Sequence, residues 1–320
     1  MQDKLIARAK ELLSEGKVKK VVGWKKGLFE DDITPAVFTT AEELDKDFVF
    51  NKYCKANLSK YLVGITKNIE IAKSTTRMNN TMAKQRDPNA QDAPIPQEVV
   101  LVFLKPADTY SFTQLLKESR ITREDVYAIG VPCQDTLDGG DLCDNCAGKK
   151  PVSCDEYIGV DPNADVAPNT SRMDEVAKLE AMSVEERYNF WRNEFSRCIR
   201  CNACRNVCPA CTCEKCVFDN NALYTTQKVA ETNFEESLFH IIRAWHVAGR
   251  CTDCGECSRV CPQNIPLYLL NRKYIKDINE IYGDYQAGAD MESKPAMLCF
   301  QEDDPETTIV YDRSKDGGNE

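Results

Sequence analysis

Apolar positions recur at helical spacing over Gln2–Leu13, where Leu5, Ile6, Ala9, Leu12 and Leu13 form one stripe that stops near Gly16. Val18–Trp24 reads as a short strand, and Leu58–Gly64 as a helix entered from Cys54 and Asn57. Thr75–Pro96 is polar and holds Pro88, Pro94 and Pro96, which predicts a loop. Val99–Leu104 is a continuous apolar run of the kind a parallel strand buried on both faces carries. Asp108 or Ser111 can cap a helix running to about Glu118, and Asp125–Val131 is the next strand. Strand, helix and strand in that order imply a right-handed crossover and a partly parallel sheet. The second strand ends at Pro132-Cys133, the carboxyl edge where ligand sites of open α/β sheets collect.

Beyond that edge the pattern changes. Residues 134–170 are rich in Gly, Asp, Pro and Asn, and continue into a linker around Asp161–Ser171. Ser183-Val-Glu-Glu186 is a capping box that opens a helix through Trp191 to about Arg197. Phe234–Val247 is a second helix, with Leu238, Ile241, Ile242 and Trp245 on one face, and Leu267–Tyr282 a third. The tail from Gln286 is acidic and reads as extended or disordered. The chain therefore divides into an α/β domain over 1–132, a Cys-rich loop and linker over 133–182, a mainly α-helical domain over 183–285, and an acidic tail over 286–320.

Composition sharpens this picture at one point: 17 Cys stand against 2 His, and eleven of the Cys lie between Cys198 and Cys261. The chain has no apolar run that predicts a transmembrane helix and no secretory signal at Met1–Lys10, so a cytoplasmic, reducing setting is expected. There, clustered thiols are thiolate ligands rather than a disulfide framework. Any metal must be held mainly by sulfur, which favours iron–sulfur clusters or all-Cys zinc. The formal charge of −10 argues against a nucleic-acid partner.

Cys198-x2-Cys201-x2-Cys204-x3-Cys208-Pro209 and Cys251-x2-Cys254-x2-Cys257-x3-Cys261-Pro262 are the same run twice. This is the bacterial ferredoxin spacing, in which three Cys wrap one cubane and the fourth closes the other. Cys198, Cys201, Cys204 and Cys261 are thus expected to hold one 4Fe–4S cluster. Cys251, Cys254, Cys257 and Cys208 are expected to hold a second. Structural zinc, usually bound by two separated C-x2-C pairs, fits the runs poorly. Cys133, Cys143, Cys146 and Cys154 are candidates for a third cluster, with zinc or free reduced thiols as the rival readings. Cys211, Cys213 and Cys216 suggest a fourth, with Cys54 or Cys299 as the distant ligand and Cys54 preferred because it heads a helix. His240 and His246 read as packing or hydrogen-bonding residues between the runs. No P-loop, no dinucleotide fingerprint and no Ser/His/Asp set is present, so no catalytic residue is assigned.

The helix-filled spacer between the runs makes Ser183–Gly283 resemble the α-helical ferredoxin domain found in the iron–sulfur subunits of succinate dehydrogenase and of heterodisulfide reductase. Lys105-Pro-Ala-Asp108, Ile129-Gly-Val-Pro-Cys133 and Arg197–Cys216 together resemble the beta-subunit family of deazaflavin-coenzyme-reducing hydrogenases and formate dehydrogenases, and its electron-transfer branch in particular. The resemblance implies an anaerobic iron–sulfur subunit that relays electrons through three or four 4Fe–4S clusters. Its partners would be the redox subunits of a hydrogenase, formate dehydrogenase or heterodisulfide-reductase-like complex. Many family members bind FAD and reduce a deazaflavin or nicotinamide, which is the alternative. Ala107 stands where that pattern carries Cys, so the cluster ligands carry over and a flavin pocket does not.

Overall fold

A computed structural model describes residues 1–29, 31–133, 150–164, 170–219 and 233–299, with 302 and 304. The N-terminal part is a five-stranded sheet in the order β2-β1-β3-β4-β5, built from β1 (Lys20–Lys26), β2 (Ile33–Phe38), β3 (Val100–Leu104), β4 (Val126–Gly130) and β5 (Glu156–Tyr157). The β1–β2 pair is antiparallel, and the β1–β3, β3–β4 and β4–β5 pairs are parallel. All five residues of β3 are buried, as its unbroken apolar run requires of a central strand. β2 was not anticipated. Pro35 lies within it, and only an edge strand accommodates a residue that cannot donate to the ladder.

Four helices flank this sheet in sequence: α1 (Gln2–Ser14), α2 (Ala41–Asp47), α3 (Ser59–Arg86) and α4 (Pro106–Lys117). The loop expected over Thr75–Pro96 is half wrong, because α3 runs for 28 residues through Arg86. Its outer turns are polar and mostly exposed, so no apolar period betrays them. The three prolines all follow the helix end. The returning chain is clipped to it by Asn80, which exchanges two 2.9 Å hydrogen bonds with Ala93, and by Lys84–Asp92 at 2.7 Å. At its start, Asn57 Oδ1 accepts from the Ser59 amide (3.1 Å) and hydroxyl (2.6 Å). α4 begins at Pro106, ahead of either expected cap, since a proline at the first helical position is already set to a helical φ. The core gathers Trp24, Phe48, Phe103, Leu5, Leu58 and Leu62. Lys105 lies buried beneath it and donates to the carbonyls of Cys54 (2.8 Å) and Lys55 (2.7 Å), fixing the segment that leads into α3.

The second part is helical: α5 (Asp174–Ala181), α6 (Val184–Ser196), α7 (Ala203–Asn206), α8 (Asn233–His246), α9 (Glu256–Arg259) and α10 (Leu267–Tyr282). The capping box at Ser183 and Glu186 forms as expected, and α10 keeps its expected limits. α5 sits inside the stretch read as linker and packs Val176 and Leu179 against Leu269 of α10. The two parts meet along a polar seam. The Asn57 amide donates to Glu256, its side chain donates to Ser111 (2.9 Å), and Ser111 shares a hydrogen bond with Thr252 (2.8 Å). The start of the acidic tail is also placed: Lys117 of α4 donates to Ser293, and Gly288 lies so close to the Tyr110 carbonyl that any side chain there would collide with it.

Candidate metal centre

Each ferredoxin run bends through left-handed backbone at matching places. Arg200 (φ 54°) and Asn202 (φ 60°) flank Cys201, and Asp253 (φ 58°) and Gly255 (φ 73°) flank Cys254. Asn, Asp and Gly bear that conformation at least cost, and it turns successive backbone N–H groups toward one concave side. A single helical turn follows each bend, α7 carrying Cys204 and α9 carrying Cys257.

One narrow pocket is lined by Cys198, Cys201 and Cys204 of the first run together with Cys261 of the second. The last cysteine of the other run behaves in the complementary way. Cys208 is the electrostatic neighbour of Cys251, Cys254 and Cys257, all of whose thiols burial pushes above the free value. Burial likewise holds Cys198 up at about 12, although the Arg200 amide donates to its sulfur (3.4 Å) and opposes the rise. Asn271 of α10 donates to the Cys257 sulfur at 3.5 Å. Such buried thiols stay protonated unless a cation compensates the thiolate, so they suit a strongly bound metal group and not a free nucleophile.

α8 runs between the two runs, and much of its apolar stripe faces outward. Leu238, Ile241 and Trp245 are 42%, 44% and 56% exposed. The buried face carries Phe239 and Ala244 together with Glu236, His240 and Arg243. Glu236 pairs with Arg200 at 3.0 Å, and the Arg200 guanidinium lies 4.0 Å over the ring of Phe239. His240 stacks on Phe195 at 4.5 Å, and neither ring nitrogen has a hydrogen-bond partner among the described residues. Burial lowers it to about 3, so it is neutral. A Cys198 sulfur, a Glu236 oxygen and a His240 nitrogen lie within 4.8 Å of one another. Arg243 is 2% exposed and all three of its guanidinium nitrogens lack a partner among the described residues, while Cys204, Cys208, Cys211 and Cys257 surround it electrostatically.

A larger cavity of about 650 Å³ opens beside this arrangement. Cys211, Cys213 and Cys216 line it, with His246 and the cations Lys60, Arg205, Arg243 and Arg250. Cys211 hydrogen-bonds Cys208, which together with Arg243 and Lys60 lowers the Cys208 thiol toward 6 and raises its partner. Cys54 is not among the lining residues. It sits in the N-terminal core, its sulfur donating to the Val49 carbonyl (3.5 Å) and accepting from the Asn51 amide (3.3 Å). Cys299 is absent from the lining as well and adjoins Tyr285. Of the remaining group, Cys133 is exposed at the end of β4 and Cys154 lies against Gly130, whereas Cys143 and Cys146 fall outside the described residues. Sequence reasoning missed Arg243 as a functional residue, because a single Arg within an apolar helix pattern carries no signal of its own.

Comparison with known proteins places this region. Over 122 residues the chain is 32% identical to the F420-dependent formate dehydrogenase subunit beta of Methanocaldococcus jannaschii, covering 37% of this chain and 31% of that one. Over 145 residues it is 30% identical to the F420-dependent formate dehydrogenase 1 subunit beta of Methanococcus maripaludis, covering 41% and 36%. The chain thus spans about a third of the length of the curated relatives it matches. Residues 194–265, which contain both runs and α8, match the 4Fe-4S dicluster domain, and it is as a carrier of that domain, similar in part to formate dehydrogenase beta subunits, that the chain is identified.

Proposed function

We propose that the chain is an iron–sulfur electron-transfer subunit of a larger oxidoreductase complex, with Cys198, Cys201, Cys204 and Cys261 holding one 4Fe–4S cubane and Cys251, Cys254, Cys257 and Cys208 a second. The observation that carries the reading is the single pocket into which the first run sends three thiols and the second run sends its last. Crossed closure of this kind needs two sites side by side. A bound cubane supplies one-electron transfer at a potential set by its surroundings. The protein's own residues do the rest. The left-handed turns aim backbone N–H groups at the sites, Asn271 donates to the Cys257 sulfur, and Arg243 places a fixed positive charge between the two ligand sets. Each of these favours the more negative, reduced state and so raises the potential. Phe195, Ile265 and Leu267 pack among Cys198, Cys204 and Cys257 and exclude water.

The relatives are named as subunits of formate dehydrogenases, which supports a redox partner of the formate dehydrogenase, hydrogenase or heterodisulfide-reductase-like kind. Among the described residues no helix is long and apolar enough to cross a membrane. Cys133, Cys143, Cys146 and Cys154 would add a further cubane at the carboxyl edge of the sheet. The test is anaerobic purification of the full chain followed by iron and acid-labile sulfide analysis and low-temperature paramagnetic resonance after dithionite. At least about eight iron per chain and two interacting half-spin signals are expected. Stoichiometric zinc without iron overturns the reading.

A further inference from the structure

We propose that Cys211, Cys213, Cys216 and His246 form an additional cubane site, a 4Fe–4S cluster with three thiolates and one imidazole, in the cavity beside the second ferredoxin site. Four observations converge on it. The three cysteines follow the first run at once, in a C-x-C-x2-C spacing that the two tandem sites leave unused. Their sulfurs and His246 line one cavity of about 650 Å³. A single zinc ion bonds sulfur at about 2.3 Å and so needs its ligand atoms nearly touching. No three of these four residues bring their ligand atoms within 4.8 Å of one another, although Cys198, Glu236 and His240 do. The spacing therefore leaves room for a cluster and is too wide for one ion.

Charge points the same way. Arg205 is satisfied by Asp219 (2.6 Å), Arg250 by Glu118, and Lys60 by the Cys211 carbonyl. Arg243 is not: it lines the cavity with three unpartnered N–H-bearing nitrogens at 2% exposure. A buried guanidinium without an acceptor is among the costliest groups a fold can hold. Thiolate and inorganic sulfide are acceptors, and a cubane with three thiolates and a neutral imidazole is a net anion. The fourth ligand follows from position. Cys54 and Cys299 do not reach the cavity lining, and Asp219 is engaged by Arg205, whereas His246 ends α8 on the lining. Because the Cys211 amide donates to the Cys208 carbonyl (3.1 Å), a ligand of this site adjoins a ligand of the second ferredoxin site. Replacing thiolate by imidazole raises a cluster's potential.

The inference rests on the electron-transfer reading for its role but not for its existence, and the experiment separates the two. Wild type, C213S, H246C and C54S are purified anaerobically as the full chain. Their iron and sulfide are measured, and their signals are titrated potentiometrically. Protein labelled with 15N-histidine is examined by pulsed paramagnetic resonance. C213S is expected to lose about four iron relative to wild type while both tandem-run signals persist, and C54S to lose none. H246C is expected to keep its iron, to shift one midpoint downward, and to lose a strong 15N coupling present in wild type. Unchanged iron in C213S, zinc recovered in place of the missing iron, or midpoints and 15N coupling unaltered in H246C would overturn the Cys211–Cys213–Cys216–His246 site. Absence of all iron from wild type overturns the electron-transfer reading instead.

Discussion

The two ferredoxin runs share every spacing and yet live in different surroundings. The first faces outward: Cys201 is exposed, and its neighbour Ile199 is 56% exposed. The second is pressed against the α/β domain, and Thr252, Asp253, Glu256 and Cys257 are all buried. The residue types at the matching left-handed position follow suit. Arg200 in the first run reaches across to Glu236, whereas Asp253 in the second is gripped by Arg272 at 2.9 Å and Arg172 at 3.3 Å. Identical cysteine spacing thus leaves the intervening residues to set which run is exposed and which lies inside.

The crossed closure gives the largest expected effect. C261S should abolish the signal of the outward site, although the substitution lies in the inner run. C208S should abolish the inner site, although it lies in the outer run. Each loses about four iron, read by metal analysis and low-temperature resonance. If each serine instead removed the cluster of its own run, the two runs would be independent and the comparison would fail.

Next in size is D253N. Asparagine keeps the left-handed backbone at little cost, so the substitution isolates the charge. It takes the carboxylate from Arg272, which is 1% exposed, and a broken buried pair costs about 3–5 kcal/mol. A fall in the thermal midpoint of the cluster-loaded protein checks this, and no comparable fall is expected for substitutions around exposed Cys201.

Asp108 sharpens the contrast through pH. It is buried beside Lys105 (3.5 Å) and faces Glu256 and Arg259 of the inner run, and burial raises its carboxyl from the free value of 3.8 to about 6. Between those values the folded chain keeps a proton that the unfolded chain has released, so stability falls as pH rises through the window. Above it the carboxylate costs about 2–3 kcal/mol. D108N should therefore stabilise the protein at pH 7 by up to that amount and leave it unchanged near pH 4, as paired denaturant melts at the two pH values would show.

The smallest effect is expected from K67M. The Lys67–Glu214 pair joins α3 to the Cys213–Cys216 loop, but both side chains are more than half exposed. Such pairs are worth about 0–1 kcal/mol. A larger loss on calorimetry would mean that this surface tie braces the cavity.

Much of this was readable in the chain. Cysteine spacing is a strong local code, and the apolar runs of β3 and α10 are each the direct product of the burial that shapes them. The outer half of α3 was not readable, because an exposed helix held by side-chain clips such as Asn80–Ala93 has no face to declare. α8 was legible as a helix but not in its orientation. Its apolar period is strong, and the usual inference turns that face inward. Tertiary context overrides the pattern, because both ferredoxin runs border its polar face.

That inverted helix has a consequence for how the molecule comes into being. α8 offers the interior an arginine and a histidine with no hydrogen-bond acceptor among the described residues, and it offers solvent its leucine, isoleucine and tryptophan. A group that binds only the folded arrangement stabilises it, so maturation and folding are expected to be linked, and stripping the mineral is expected to loosen this helix, which hydrogen exchange before and after chelation would read.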